Sequence, residues 1–144
     1  MTRLTGGCHC RNIRVELETD LAPSSFEPRA CQCSFCRQHQ SRAISDSNGR
    51  LRIAVADGEL LSRYQFGMKS IEFLVCRICG VYVAGFLPDP TDDKAFATLM
   101  VSALDQRDGF PAPVPKNYDD QAREDRTERR RKVWTPASLA IGGS

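Results

Sequence analysis

The distribution of cysteines constrains this chain more than any other feature of its sequence. All seven cysteines fall into three short segments, "GGCHC", "CQCSFC" and "CRICG". Two cysteines separated by one or two residues fit a tight turn that brings both sulfurs to one side, as zinc requires. An odd number of cysteines also argues against a fold held together by disulfides alone. The spacing therefore predicts metal binding rather than a scatter of buried thiols.

The number of available ligands predicts two zinc sites of different kinds. Structural zinc takes four ligands in a tetrahedron, whereas catalytic zinc keeps three protein ligands and one open position. The first and last segments supply one pair each to a four-cysteine structural site, which consists of Cys8, Cys10, Cys76 and Cys79. The middle segment supplies the three ligands of a second, catalytic site, which are Cys31, Cys33 and Cys36.

The fourth position of the second site has two alternatives. His39 follows Cys36 by three residues and could close the site, because histidine is an ordinary zinc ligand. If the position is open, it would accept a thiol, whose pKa zinc lowers. The basic residues Arg29, Arg37 and Arg42 surround this segment and would suit an acidic thiol such as glutathione.

Composition indicates an ordinary globular protein. The chain has 144 residues, 41% of them hydrophobic, and a net charge of +2, which indicates neither nucleic-acid nor membrane binding. Its start lacks the apolar run of a signal peptide, so we expect a cytoplasmic protein whose thiols stay reduced.

We predict one zinc-binding β domain over residues 3–115, with a C-terminal helix and tail over residues 116–144 packed on it. The oligomeric state stays open.

Alternating hydrophobicity predicts a fold that is mainly β. "NIRVELE" alternates strictly, with Ile13, Val15 and Leu17 on one face, as expected of a half-buried strand. Further strands are predicted at "LRIAV", "LLSRYQF", "SIEFLV" and "VYVAGFL". "AFATLMVSAL" could be a strand or a short helix, and a strand is favoured because its neighbours are strands. Because "CRICG" lies between two of these strands, we expect it at the tip of a hairpin.

The first helix is predicted late in the chain, at residues 118–134. Asp119 and Asp120 lie at its start and the basic residues 129–132 near its end, which is the order that the helix dipole favours. Acidic side chains one turn away from arginines favour a solvated, self-paired helix over a phosphate-binding surface. Trp134 is predicted to dock the end of this helix on the β core.

The three cysteine motifs, in this order, resemble those of the glutathione-dependent formaldehyde-activating enzyme family, also named after centromere protein V. The resemblance spans about residues 3–104. It implies a mostly antiparallel β fold related to the Rab-accessory zinc proteins, a structural zinc on the outer two motifs and an activity-linked zinc on the middle one. Two positions depart from the family pattern. Arg11 replaces a common glycine, with Asn12 expected to supply left-handed geometry, and Gln32 replaces a frequent histidine.

The resemblance and the ligand count together predict a zinc-dependent enzyme of the carbon–sulfur lyase type. It would add glutathione or a similar thiol to a small aldehyde, forming or cleaving an S-hydroxyalkyl adduct, so its partners would be those two small molecules. His39 is predicted as a proton shuttle, with Tyr82 and Asp46 as alternatives. The alternative functions are a non-catalytic zinc-stabilised binding module and a redox sensor that uses thiols and zinc.

Overall fold

The computed structural model of the protein describes residues 2–89, 94–118 and 121–142. Within these ranges the chain forms eleven β-strands and two α-helices. The strands are β1 Thr2–Gly7, β2 Ile13–Thr19, β3 Arg29–Cys31, β4 Ala43–Ile44, β5 Arg50–Val55, β6 Leu61–Tyr64, β7 Glu72–Cys76, β8 Tyr82–Asp89, β9 Lys94–Met100, β10 Val114–Lys116 and β11 Thr135–Ile141. The helices are α1 Ser34–His39 and α2 Arg123–Val133. In the described ranges no helix has the length and apolar character needed to cross a membrane.

The strands form one connected sheet that branches at β9. The main path of hydrogen-bonded neighbours runs β1-β2-β5-β11-β9-β4-β3-β10, and β6-β7-β8 joins it where β8 pairs with β9. Among the described strands, two pairings are parallel, β11 with β5 and β10 with β3, and the others are antiparallel. The prediction of a mainly β, mostly antiparallel fold is therefore confirmed.

The main core lies against the apolar face of β2 and β5. Ile13, Val15 and Leu17 are each no more than 4% exposed, as the alternation of the sequence predicts. Leu17 lies opposite Leu51 and Val15 opposite Ile53, so the apolar residues of both strands face the same side. A slip of one residue would turn this whole set toward solvent, and burial therefore fixes the register.

The strands that the sequence predicts are confirmed as β2, β5, β6, β7, β8 and β9, except that β9 ends at Met100 and the chain continues as a short 3-10 helix, Val101–Ala103. The predicted hairpin is the antiparallel pair β7–β8, with "CRICG" where the chain turns between them. Five further strands, β1, β3, β4, β10 and β11, are absent from the sequence prediction. They are short or lack a clean apolar alternation, so long-range pairing rather than local pattern makes them strands.

The expectation that no helix precedes residue 118 is wrong, because α1 lies within the middle cysteine segment. Its six residues are too few to give a helical period in the sequence, and a helix this short is not stable alone. Tertiary contacts hold it instead. The ring of Phe35 lies 4.5 Å from that of Phe73 and 5.0 Å from that of Tyr82, between ring centroids.

The C-terminal helix is confirmed as α2, and the chain continues from it into β11. Trp134 follows the helix directly, is only 6% exposed, and packs in a buried cluster with Met100, which confirms the predicted docking. The predicted start of the helix at Asp119 and Asp120 lies outside the described residues, and the described helix begins at Arg123.

Replacing Trp134 by alanine should destabilise the protein by about 3–5 kcal/mol, the usual cost of truncating a buried tryptophan. The matched control is Val133→Ala, one residue earlier, whose side chain is 43% exposed and should change the free energy of unfolding little. Chemical denaturation of both variants measures the difference. Equal stabilities would show that Trp134 does not anchor α2.

Candidate metal centres and ligand cavity

Four cysteines from two distant turns form one compact group. Cys8 and Cys10 lie in the turn after β1, and Cys76 and Cys79 lie at the end of β7 and in the turn that follows. All four sulfurs lie within 4.8 Å of one another. Gly6, near the end of β1, lies so close to the carbonyl oxygen of Ala103 that a side chain there would overlap it.

The spacing of these sulfurs fits a tetrahedral zinc ion. Sulfurs at about 2.3 Å from a shared zinc lie about 3.8 Å from one another in a tetrahedron. The measured separations are 3.8 Å between the sulfurs of Cys8 and Cys10 and 3.5 Å between those of Cys10 and Cys76. The donors present therefore fit zinc with little rearrangement.

Backbone amides in both turns point at the sulfurs. The amide of Ile13 donates to the sulfur of Cys8 at 3.2 Å, and the amide of Ile78 donates to that of Cys76 at 3.4 Å. Such bonds stabilise negative charge on a ligand sulfur. Burial nevertheless raises the pKa of the Cys8 thiol to about 12, so a cation is needed to ionise it at neutral pH.

In the turn between β1 and β2, Arg11 stands where the family commonly has glycine, and the residue that takes the left-handed conformation is not the predicted one. Arg11 itself takes the left-handed conformation, with φ 68°, rather than Asn12, for which the sequence predicts it. The Arg11 guanidinium donates to Asp105 Oδ1 at 2.8 Å. Asn12 is instead buried, and its side-chain oxygen accepts a hydrogen bond from the amide of Asp57 at 3.0 Å.

The other three cysteines form a second group, with their sulfurs also within 4.8 Å of one another. Cys31 ends β3, Cys33 caps the N-terminus of α1, and Cys36 lies one turn into that helix. The sulfur of Cys33 accepts a hydrogen bond from the amide of Cys36 at 3.4 Å. The two groups are the same two that the cysteine spacing predicts, and no histidine belongs to either group in the described chain.

The three thiols of the second group do not ionise alike without a cation. Hydrogen bonds from Cys33 and Cys36 lower the pKa of Cys31, whereas the hydrogen bonds with Cys31 and Cys33, and then burial, raise that of Cys36. A divalent cation would allow all three to ionise, and the donor set fits zinc held by three thiolates.

The second group opens into a cavity of about 600 Å³, which the four-cysteine group does not line. This volume is ordinary for a small-molecule site. Apolar side chains from the sheet and from the segment between β6 and β7 form much of its wall, among them Phe66, Ile71, Phe73 and Met100. Three potential ligands therefore face a space large enough for a substrate.

Helix α2 supplies a basic wall of this cavity. Arg126, Arg129 and Arg130 line it, as does Arg29 of β3. The expectation of a solvated, self-paired helix is wrong for this face, because Arg130 is only 8% exposed. It holds for part of the other face, where Lys132 pairs with Glu128 at 3.2 Å in an exposed ion pair.

The remaining predicted site residues lie in different places. Arg37 lines the cavity, but Arg42, His39 and Asp46 are not among its described lining residues. His39 is exposed, with its ring centroid 4.4 Å from that of Phe35. Asp46 accepts a hydrogen bond from the hydroxyl of Thr19 at 2.6 Å. The roles assigned to His39 and Arg42 therefore stay predictions.

Tyr82 is the predicted alternative that the fold places in the cavity wall. It is 5% exposed, and burial together with the nearby cysteine sulfurs raises its pKa well above the ordinary value. Its phenol is therefore protonated at neutral pH and able to donate a hydrogen bond.

The arginines of α2 could have been found from the sequence by their spacing. Arg126, Arg129 and Arg130 are three and four residues apart, which places them on one face of a helix. Glu124 and Glu128 do not share that face, since they line a separate shallow depression with Arg131. The spacing signals a basic stripe, but it does not say what the stripe contacts.

Comparisons with known proteins agree with this geometry. A crystal structure of a Rhodobacter sphaeroides protein, determined in a structural genomics programme, is 30% identical and aligns with a TM-score of 0.53, covering 78% of this chain and 99% of its own. The family profile described as "Glutathione-dependent formaldehyde-activating enzyme" matches residues 3–120, which include all seven cysteines and most of the sheet. The chain therefore belongs to the glutathione-dependent formaldehyde-activating enzyme family.

Proposed function

We propose that this protein catalyses the reversible addition of a thiol, glutathione or a similar molecule, to a small aldehyde. The product is an S-hydroxyalkyl adduct, and cleavage of that adduct is a carbon–sulfur lyase reaction. Membership of the family supports the reaction class. The proposal for this chain depends on one observation, that the three-cysteine group faces the 600 Å³ cavity while the four-cysteine group does not.

The chemistry needs a sulfur nucleophile beside a carbonyl carbon. Cys31, Cys33 and Cys36 would hold zinc, which would act as a Lewis acid and lower the pKa of a thiol. In the addition, a bond forms between the sulfur and the aldehyde carbon, and the carbonyl π bond breaks. The thiol proton ends on the former carbonyl oxygen, so nothing is oxidised or reduced.

The residues of the cavity have separate roles in this proposal. The apolar wall, which includes Phe73 and Met100, keeps water away from the reacting groups. Tyr82 donates a hydrogen bond to the aldehyde oxygen as negative charge develops there. The four-cysteine group, Cys8, Cys10, Cys76 and Cys79, would hold a structural zinc and so link the turn after β1 to the β7–β8 turn.

Exchange NMR between free glutathione and its formaldehyde adduct tests the proposed reaction, because the uncatalysed rate is measured in the same buffer. We expect the zinc-loaded protein to accelerate the exchange. A protein that contains two zinc ions per chain and leaves the exchange rate at the buffer value, with formaldehyde and with larger aldehydes, would contradict the proposal.

Tyr82→Phe should reduce the acceleration by roughly a hundredfold, which is a typical contribution from one positioned acid or donor in a transition state. The ring and its packing remain, so the melting temperature should change little. Tyr64→Phe is the control, because Tyr64 is 48% exposed and does not line the cavity. Equal rates for the two variants would remove Tyr82 from the mechanism.

A further inference from the structure

Helix α2 lies outside the part of the chain that matches the family, yet it forms a wall of the cavity. The family match ends at residue 120, and α2 begins at Arg123. Three of its arginines, Arg126, Arg129 and Arg130, line the same cavity as the three-cysteine group. This chain therefore adds positive charge to the site from a segment that lies outside the family match.

The positive charge of the cavity exceeds what the cysteines can balance. Five arginines line the cavity, and none of its described lining residues is an aspartate or a glutamate. Three thiolates on a divalent cation carry a net charge of −1, which balances one arginine. Arg37 is exposed to solvent, but Arg130 is buried and Arg29, Arg126 and Arg129 are partly buried. Burying cations without counter-charges is costly, so the excess indicates an anionic ligand.

Arg130 is the most informative of these arginines. It is 8% exposed, its Nη1 donates to the hydroxyl of Ser70 at 2.8 Å, and its Nε has no hydrogen-bond partner in the described chain. Leaving a buried charged donor unpaired costs more than leaving a neutral one. Burial and the adjacent Arg129 lower the pKa of Arg130 to about 10, and an anion would offset both effects.

Arg29 and Arg129 resemble Arg130, because the contacts described for them are also with neutral groups. Arg29 is partly buried and donates to the neutral hydroxyls of Ser45 and Thr98, at 2.6 Å and 2.7 Å. The guanidinium of Arg129 lies 3.5 Å above the ring of Tyr118. Both arginines line the same cavity, and burial, followed by the charge of Arg29, lowers the pKa of Arg129. None of these contacts supplies a negative charge.

We propose that Arg129 and Arg130 of α2, with Arg29 of β3, bind the carboxylates of an acidic thiol whose sulfur lies at Cys31, Cys33 and Cys36. The substrate class is a thiol that bears two or more carboxylates, of which glutathione is one. This inference rests on the proposed function for the position of the sulfur. The arginines of α2 make the site selective for charge, since guanidinium groups bind carboxylates through paired hydrogen bonds.

Calorimetric titration of the zinc-loaded protein tests this assignment with three probes. Glutathione has both the thiol and the carboxylates, S-methylglutathione keeps the carboxylates without a free thiol, and 2-mercaptoethanol is a thiol without a carboxylate. Arg129→Gln and Arg130→Gln each remove one cation from the cavity. Arg131→Gln removes one from the same helix, at an exposed position that does not line the cavity.

We expect glutathione and S-methylglutathione to bind Arg129→Gln and Arg130→Gln roughly ten- to a hundredfold more weakly, the loss typical of a charged hydrogen bond. Binding to Arg131→Gln should stay within about twofold of the original protein. Binding of 2-mercaptoethanol should be the same in all variants. Circular dichroism monitors folding, and Arg129→Gln, at a less buried position, serves if Arg130→Gln does not fold.

Two outcomes would overturn the assignment. One is equal weakening in all three variants, which would indicate a general effect of charge, and the other is no weakening in any of them. If glutathione binds and reacts alike in all variants, the thiol reaction survives and the arginine site fails. If the carboxylate probes need the arginines but no adduct forms with any aldehyde, the arginine site survives and the proposed reaction fails.

Discussion

Replacing Cys76 by serine should unfold the protein or leave it aggregated. Cys76 is 1% exposed and belongs to the four-cysteine group, which joins two turns whose cysteines Cys10 and Cys76 lie 66 residues apart. The free energy of zinc binding at a closed site is also folding free energy, on the order of 10 kcal/mol. Whole domains are stable by only about 5–15 kcal/mol. Zinc analysis and circular dichroism of the purified variant measure the result.

Two controls separate loss of the metal from loss of packing. Cys10→Ser removes a ligand at an exposed position, so a loss similar to that of Cys76→Ser would be due to the metal and not to burial. Ile78→Ser changes a side chain of the same turn that is 57% exposed and should leave the protein folded. A soluble Cys76→Ser protein with the original melting temperature would contradict a structural zinc at this group.

Replacing Cys33 by serine should abolish thiol-dependent activity and remove one zinc per chain, while the β fold persists. Cys31, Cys33 and Cys36 lie within six residues, so a metal here closes only a short loop and removes little entropy from the unfolded chain. Cys33 also caps α1 by accepting a hydrogen bond from the amide of Cys36. Serine is a preferred cap, so the helix should survive the substitution.

Metal analysis, a thermal melt and the glutathione exchange assay together measure this prediction. Gln32→Ser is the matched control, since it introduces serine between two ligands without removing a thiol, and it should keep both zinc ions. If Cys33→Ser unfolds like Cys76→Ser, the second site is also structural and the proposed reaction loses its main support. If Cys33→Ser retains two zinc ions and full activity, the ligands assigned to the second site are wrong.

The sequence by itself determined the features that depend on neighbours along the chain. Cys-x-Cys and Cys-x-x-Cys spacing brings sulfurs together within one turn, so the division into four and three follows from spacing and coordination number. Strict alternation sets the buried face of a strand such as β2, because successive side chains point to opposite sides. Burial of Trp134 at the helix end was also predictable from the residue itself, because its large ring is mostly apolar.

Predictions from the local sequence pattern were wrong where contacts with distant residues decide the conformation of the chain. The sequence indicated Asn12 as the left-handed residue, but Asn12 is held by its hydrogen bonds to Asp57, and Arg11 takes that conformation. Helix α1 was missed because six residues carry no periodic signal, and its stability comes from the rings of Phe73 and Tyr82. Both outcomes depend on residues far away in the sequence.

Only the tertiary structure decided what the arginines of α2 contact. The spacing of Arg126, Arg129 and Arg130 defines one face of a helix but not the direction of that face. The direction follows from β11, which pairs with β5 and β9 directly after the helix, and from Trp134, which is buried at the junction. These long-range contacts place the basic face over the three-cysteine group, some ninety residues earlier in the chain. A basic stripe that is typical of a solvated helix thereby forms a wall of the cavity, because sheet pairing outweighs the local preference of a charged helix for water.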